Sequence, residues 1–198
     1  MVEDSRIFGA QPMTIVSSML WRRVDIPGHD ACHLRRENDN WSLEGTAVFR
    51  HGMGPANLSY SVECDSLWQT VSGRIRGFVG KQAIDYLVVR RGAVWTLNGV
   101  PVPGMEHLLD LDLSFTPATN LQQLHRVSIA ENETVRLPVA WLDADAGTLT
   151  ELPQMYERRG QDAFWYQAPS VGYEGLLEVA PNGFIRNYPH LWEAEPFP

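Results

Sequence analysis

Along this chain apolar and polar residues alternate with a period of two far more often than they recur at helical spacing. The cleanest run is 57–65, where Leu58, Tyr60, Val62 and Cys64 share one face and Ser59, Ser61 and Glu63 the other. Similar runs predict strands over 18–25, 30–36, 41–50, 68–79, 83–91 and 93–97. Gly92 turns the last pair, and Asn98-Gly99 is a strong turn signal after it. On 68–79, Val71, Ile75 and Val79 fall on one face together with Gly73 and Gly77. Glycines inside a strand mark a bend or the close approach of another element. Further strands are predicted over 126–130, 133–142, 148–157, 163–167, 175–180 and 184–188, with turns at Glu131-Asn132 and Pro181-Asn182-Gly183. No segment keeps a helical period for three turns. The pattern therefore predicts an all-β protein, a strongly curved antiparallel sheet or open barrel with only short helical turns. Residues 1–16 read as a flexible lead-in and 17–198 as a single β domain. The hairpin-like stretches 86–94 and 177–185 resemble each other, which suggests two similar halves, 18–105 and 106–190.

The organising stretch is 107–126, HLLDLDLSFTPATNLQQLHR. Leu109, Leu111, Leu113 and Phe115 alternate with Asp110, Asp112, Ser114 and Thr116, the signature of a strand with one greasy face. Asp is a poor strand residue, because its short carboxylate competes for nearby backbone groups, so two in register need partners. They share a face about 6–7 Å apart. Thr116-Pro117 breaks the strand. A helical turn over 121–126 should follow, capped by Thr119 or Asn120 and ending on His125 and Arg126.

Composition narrows the function. A chain of 198 residues that is 44% hydrophobic can bury a large core, hiding roughly 70% of its unfolded surface. The net charge of -8 argues against a nucleic-acid surface. Lys81 is the one lysine among 16 basic residues, so the cations favour planar pairing with carboxylate or phosphate. Cys32 and Cys64 stand in no CxxC spacing and read as buried thiols in a reducing cytosol. No window approaches the ~20 apolar residues of a membrane span, and the first residues lack a secretory pattern. The expected localisation is cytoplasmic.

Seven tryptophans and six tyrosines suit stacking on sugar faces or lining an acyl groove. Phe164-Trp165-Tyr166 presents rings to both faces of its strand. Arg22, between Leu20 and Val24, shares their apolar face and needs a buried acid or an anionic ligand there. The arginine doublets at 90–91 and 158–159 abut Gly92 and Gly160 and read as solvated hairpin ends. The histidines show no HxH or HExxH spacing, and neither a nucleophile elbow nor a phosphate loop occurs. No cofactor, metal or catalytic residue is assigned.

The block from Asp110 to Asn120 followed by Leu124-His125-Arg126 resembles the signature of the bacterial family described as "putative glycolipid-binding". Leu20-Trp21-Arg22, Trp95 to Gly99, Gln154-Met155-Tyr156, Phe164-Trp165-Tyr166 and Gly183 to Pro189 fit its other blocks. The resemblance implies an all-β, lipoprotein-carrier-like open barrel with no reaction attached. The family tends to carry Leu-Pro and then paired arginines after Thr-Asn, where this chain has Gln122-Gln123 and His125-Arg126. His125 would meet an anion only when protonated.

The expected function is non-enzymatic binding of a small amphiphilic ligand, a glycolipid or lipid-like molecule, on an aromatic-lined concave β surface. The ligand-binding candidates are Trp21, Arg22, Trp95, Asp110, Asp112, Thr116, Asn120, Arg126, Tyr156 and Tyr166. Asp112, Asn120 and Arg126 would orient the headgroup. Alternatives are a hydrolase of a glycoside or lipid ester using the Asp110/Asp112 pair, or a protein-interaction module pairing through its edge strands. No nucleic-acid partner or transmembrane segment is expected, and a homodimer is left open.

Overall fold

The computed structural model describes residues 14–196. Eight strands form an up-and-down antiparallel meander: β1 (Thr14–Arg23), β2 (Gly28–Glu37), β3 (Asn40–His51), β4 (Gly54–Cys64), β5 (Thr70–Val79), β6 (Gln82–Arg91), β7 (Val94–Leu97) and β8 (Val100–Val102). Between β7 and β8, Asn98 and Gly99 both take positive φ (51° and 81°), the two-residue turn whose twist matches that of the strands. Residues 14–16, expected in the lead-in, already belong to β1; 1–13 lie outside the described residues.

The second half contains β9 (Leu111–Leu113), α1 (Asn120–Arg126), β10 (Thr134–Arg136), β11 (Val139–Asp143), β12 (Thr148–Leu152) and β13 (Met155–Arg158). It ends with β14 (Ala163–Ala168), a 3-10 turn (Pro169–Val171), β15 (Tyr173–Val179), β16 (Ile185–Tyr188) and β17 (Trp192–Ala194). The main sheet runs β10-β13-β14-β15-β16-β17-β1-β2-β3-β4-β5-β6-β7-β8, while β12-β11-β9 form a second, small sheet in which β9 and β11 are parallel. The fourteen strands are not closed into a barrel, since β10 and β8 each have one neighbour.

The sequence run 133–142 splits into β10 and β11 on either side of Pro138, and 148–157 into β12 and β13 around Pro153. A proline cannot donate to the ladder, and at each break the chain passes from one sheet to the other. Residues 127–130, expected as a strand, carry no regular element, because α1 runs through Arg126 and its last turn is closed by the Val127 N–H on the Gln123 carbonyl.

The meander's inward residues, among them Trp21, Leu34, Leu43, Leu58, Val62, Ile75, Val88 and Trp95, form one core with Leu108, Leu111, Leu113, Phe115 and Leu121. The hollow of this half of the sheet is therefore filled by the chain's own 105–126 segment. Gly73 is the contact point: a Cβ there would collide with the Leu111 side chain, which is the close approach its place in the strand implies. A second core gathers Val139, Leu152, Tyr156, Tyr166, Leu177 and Ile185. Val71 departs from its expected inward face. Cys64 pairs with Thr70 but Glu63 with Ser72, so Val71 is the extra residue of a bulge and is exposed. The bulge turns Thr70 inward.

Candidate functional site

The central stretch is enclosed on both sides. Of the predicted strand over 109–116 only Leu111–Leu113 pairs as one. Its leucines face the meander, and the acids beside them are held from the helix and from β12–β13. Asp110 is fully buried and takes two hydrogen bonds from Arg126, Nε to Oδ1 at 3.1 Å and Nη2 to Oδ2 at 2.5 Å. Asp112 has no cationic partner among the described residues. The Gln154 amide donates to its Oδ2 at 2.6 Å and the Thr119 hydroxyl to its Oδ1 at 3.3 Å. Thr119 occupies the N-cap position, but its hydroxyl serves Asp112 in place of the cap.

Around this pair lies a network of amides. Asn120 Nδ2 donates to the Tyr156 hydroxyl at 2.8 Å, and that hydroxyl faces the side-chain carbonyls of Gln123 and Gln154 at 3.3 and 3.4 Å. Gln122 donates to the Leu111 carbonyl at 3.0 Å and accepts from Thr70 and Cys64. Gln122 and Gln123, the departure from the family pattern, are thus fully buried and hydrogen-bonded. Thr116 donates to Asp30, which also takes the Tyr60 hydroxyl at 2.9 Å. The Thr116 oxygen accepts the Ala118 N–H at 3.0 Å, so its methyl is what it has left to offer a ligand.

Burial pushes both uncompensated acids, Asp30 and Asp112, up to about 6, against the hydrogen bonds that favour their ionised forms. Burial also raises Asp110, but its Arg126 partner opposes the shift. The phenols of Tyr156, Tyr166 and Tyr188 are pushed above their ordinary range by burial.

Asp112, Thr116, Asn120 and Tyr166 line one cavity of about 290 Å³ together with Trp141, Leu152, Val171, Tyr173, Tyr188 and Trp192. It sits where β9 and α1 meet the β14–β17 part of the main sheet. Tyr166, Tyr173 and Tyr188 pack as a cluster with ring centres 4.9–5.9 Å apart, and Tyr173 is anchored by its hydroxyl on the Pro189 carbonyl at 2.9 Å. At the low end of ligand-pocket size, roughly 300–1,000 Å³, the cavity has room for a headgroup.

The other sequence candidates lie elsewhere. Trp21 is fully buried, donating its indole N–H to the Ile185 carbonyl at 2.6 Å and meeting Phe184 edge-on. Trp95 is likewise buried, on the Leu108 carbonyl at 3.2 Å. Tyr156 lies beneath Asn120, and Asp110 and Arg126 satisfy each other. Arg22 points outward, contrary to expectation: Met19 and Trp21 set the buried face of β1, and Arg22 pairs on the surface with Glu193 at 3.0 Å. The doublets at 90–91 and 158–159 also correct their reading, since one member of each turns in. Arg90 reaches the Leu108 carbonyl and Gln69, and Arg158 caps the carbonyls of Ile129, Gly160 and Gln161. His125 stacks on Trp68, centres 4.4 Å apart, and Trp68 on Trp41 at 4.5 Å; burial lowers its pKa.

Among the cavity residues the sequence did not mark as a site are Trp141, Leu152, Val171, Tyr173, Tyr188 and Trp192. Apart from Val171 in the 3-10 turn, they lie on strands three to seven residues long, and Trp192 is set by the pairing of β17 with both β1 and β16. Gln154 was legible within a family block, though not its bond to Asp112. Chemically the site offers one carboxylate, because the second is enclosed and occupied by Arg126. Among the described residues no group of three or more His, Cys, Asp or Glu converges as a metal site, and no helix is long and apolar enough to cross a membrane.

The model of the family described as "Putative glycolipid-binding" matches residues 18–194. The chain belongs to this family. A crystal structure of a DUF1089 family protein from Pseudomonas aeruginosa is similar in fold, with a TM-score of 0.73 over 98% of each chain and 19% sequence identity. A comparison with curated proteins gives no match. The family's block from Asp110 to Arg126 is, in this member, the segment that fills the meander and carries one wall of the cavity.

Proposed function

We propose that this protein binds an amphiphile, a glycolipid or similar molecule, by taking its headgroup into the cavity walled by Asp112, Asn120 and the Tyr166 cluster. The observation that carries this reading is a carboxylate at the wall of an aromatic cavity, with no cationic partner among the described residues. An ionised carboxylate has about four lone-pair positions, and Asp112 uses two of them on Gln154 and Thr119. The others can accept ligand hydroxyls. Tyrosine and tryptophan rings present apolar faces of the kind a sugar ring packs against. The tail leaves the cavity along Val171 and Leu191, the first of which is exposed at the lining. The contact set we propose is Asp112, Thr116 through its methyl, Asn120 and Tyr166 from the sequence candidates, joined by Tyr173, Tyr188, Trp141 and Trp192.

Native mass spectrometry of freshly purified protein, with extraction of copurified lipid, tests this directly. A bound amphiphile that is lost in Asp112→Asn is the expected result. Absence of any copurified lipid, together with no thermal shift across a panel of alkyl glycosides, overturns the reading.

A further inference from the structure

We infer that the cavity selects an uncharged, hydroxyl-bearing headgroup and excludes anionic ones such as uronates and phosphates, with Asp112 as the specificity-determining residue. This rests on the binding reading above and narrows it to a ligand class. The composition, with arginine nearly its only cation, points toward carboxylate or phosphate recognition. The geometry points the other way. Among the described residues no Lys, Arg or His lines the cavity, and the one carboxylate there is Asp112.

The guanidiniums that come close are committed elsewhere. Arg126 is held by both oxygens of Asp110. Arg23 lies over the Trp192 ring, its centre 5.0 Å away, but Asp25 takes both its Nε and Nη2, at 3.0 and 2.6 Å. Arg136 lines a separate cavity with Pro138, Pro153 and Met155. An anion entering beside Asp112 would therefore bring like charge against a buried carboxylate, with no cation among the described lining residues to neutralise it. A neutral hydroxyl brings a donor the carboxylate can use. Specificity of this kind comes from an element that repels the wrong ligand as much as from contacts to the right one, and the chain's charge of -8 acts in the same direction.

The test is calorimetric titration at pH 8 with two probes below their micellar concentrations, octyl glucoside and the matching octyl glucuronide. The glucoside is expected to bind at least about tenfold more tightly, a difference of about 1.4 kcal/mol. In Asp112→Asn the two affinities should converge to within about threefold. Val171→Arg, at an exposed position of the lining, should raise affinity for the glucuronide and needs no change in the core. A glucuronide that binds the native protein as tightly as the glucoside, or a preference unchanged in Asp112→Asn and Val171→Arg, overturns the inference and leaves amphiphile binding standing. Failure of both probes to bind the native protein overturns the binding reading and this inference with it.

Discussion

Asp110 and Asp112 stand two residues apart on one short segment, yet Arg126 grips the first with two hydrogen bonds while the second has only an amide and a hydroxyl. The difference sets their roles. Asp110 fastens the helix to the strand before it, and Asp112 keeps a carboxylate at the cavity wall.

Breaking the first pair should be costly. Asp110 has no exposed side-chain surface and Arg126 only 18%, so Arg126→Ala strands a buried charge and is expected to lose about 3–5 kcal/mol in urea unfolding. A Leu/Leu double replacement should recover part of that loss, because it removes both charges together.

Stability should fall as pH rises from about 4 to above 6. Asp30 and Asp112 are raised from 3.8 to about 6, so between these values the folded protein holds protons that the unfolded chain has released. Their contribution is full below the unfolded pKa and is lost as pH rises through the folded one. Each group accounts for about 3 kcal/mol. Asp112→Asn should remove its share of the slope in urea unfolding followed from pH 4 to 7.5, and a slope equal to that of the native protein would count against the assignment.

Gly73→Ala should destabilise by about 1–3 kcal/mol, the usual range for forcing extra atoms into a packed core. Its Cβ would meet a side-chain methyl of Leu111. Combining it with Leu111→Ala should cost less than the sum of the two single changes, measured as a double-mutant cycle in urea.

Cys32 and Cys64 are free and buried, and burial pushes both thiols up. Thiol reagents should therefore label them only as fast as the protein unfolds. Labelling of either cysteine in native buffer, well ahead of unfolding followed by fluorescence, would contradict the enclosed positions seen here.

The all-β class and β1 to β6 were legible because each is ten or so residues dominated by alternation, and the short β7 because turn residues bound it at Gly92 and at Asn98-Gly99. The Asp pair was legible as needing partners, and its helix-borne Arg126 as a candidate. What alternation could not carry was direction in short or two-sided elements. Arg22 sits between apolar neighbours that are themselves on the outer face, and Val71 is turned out by a bulge that no local pattern marks. Pro138 and Pro153 divide continuous apolar runs into strands of different sheets. The site suffered most, since its walls come from β9, α1, β11, β12, β14, β15, β16 and β17 and the turns between them. Large tryptophans that look like ligand platforms, Trp21 and Trp95, are instead enclosed and tied to carbonyls.

The seam between β17 and β1 has a consequence for the order in which the molecule assembles. Hairpin neighbours β1 to β8 can pair as soon as each is synthesised, whereas Trp21, Arg22 and Arg23 must wait for partners at 192–194. A chain still on the ribosome can hold a folded meander before Trp192 has emerged. The cavity is thus closed by a long-range pairing made after the meander, when Trp192 reaches Arg23.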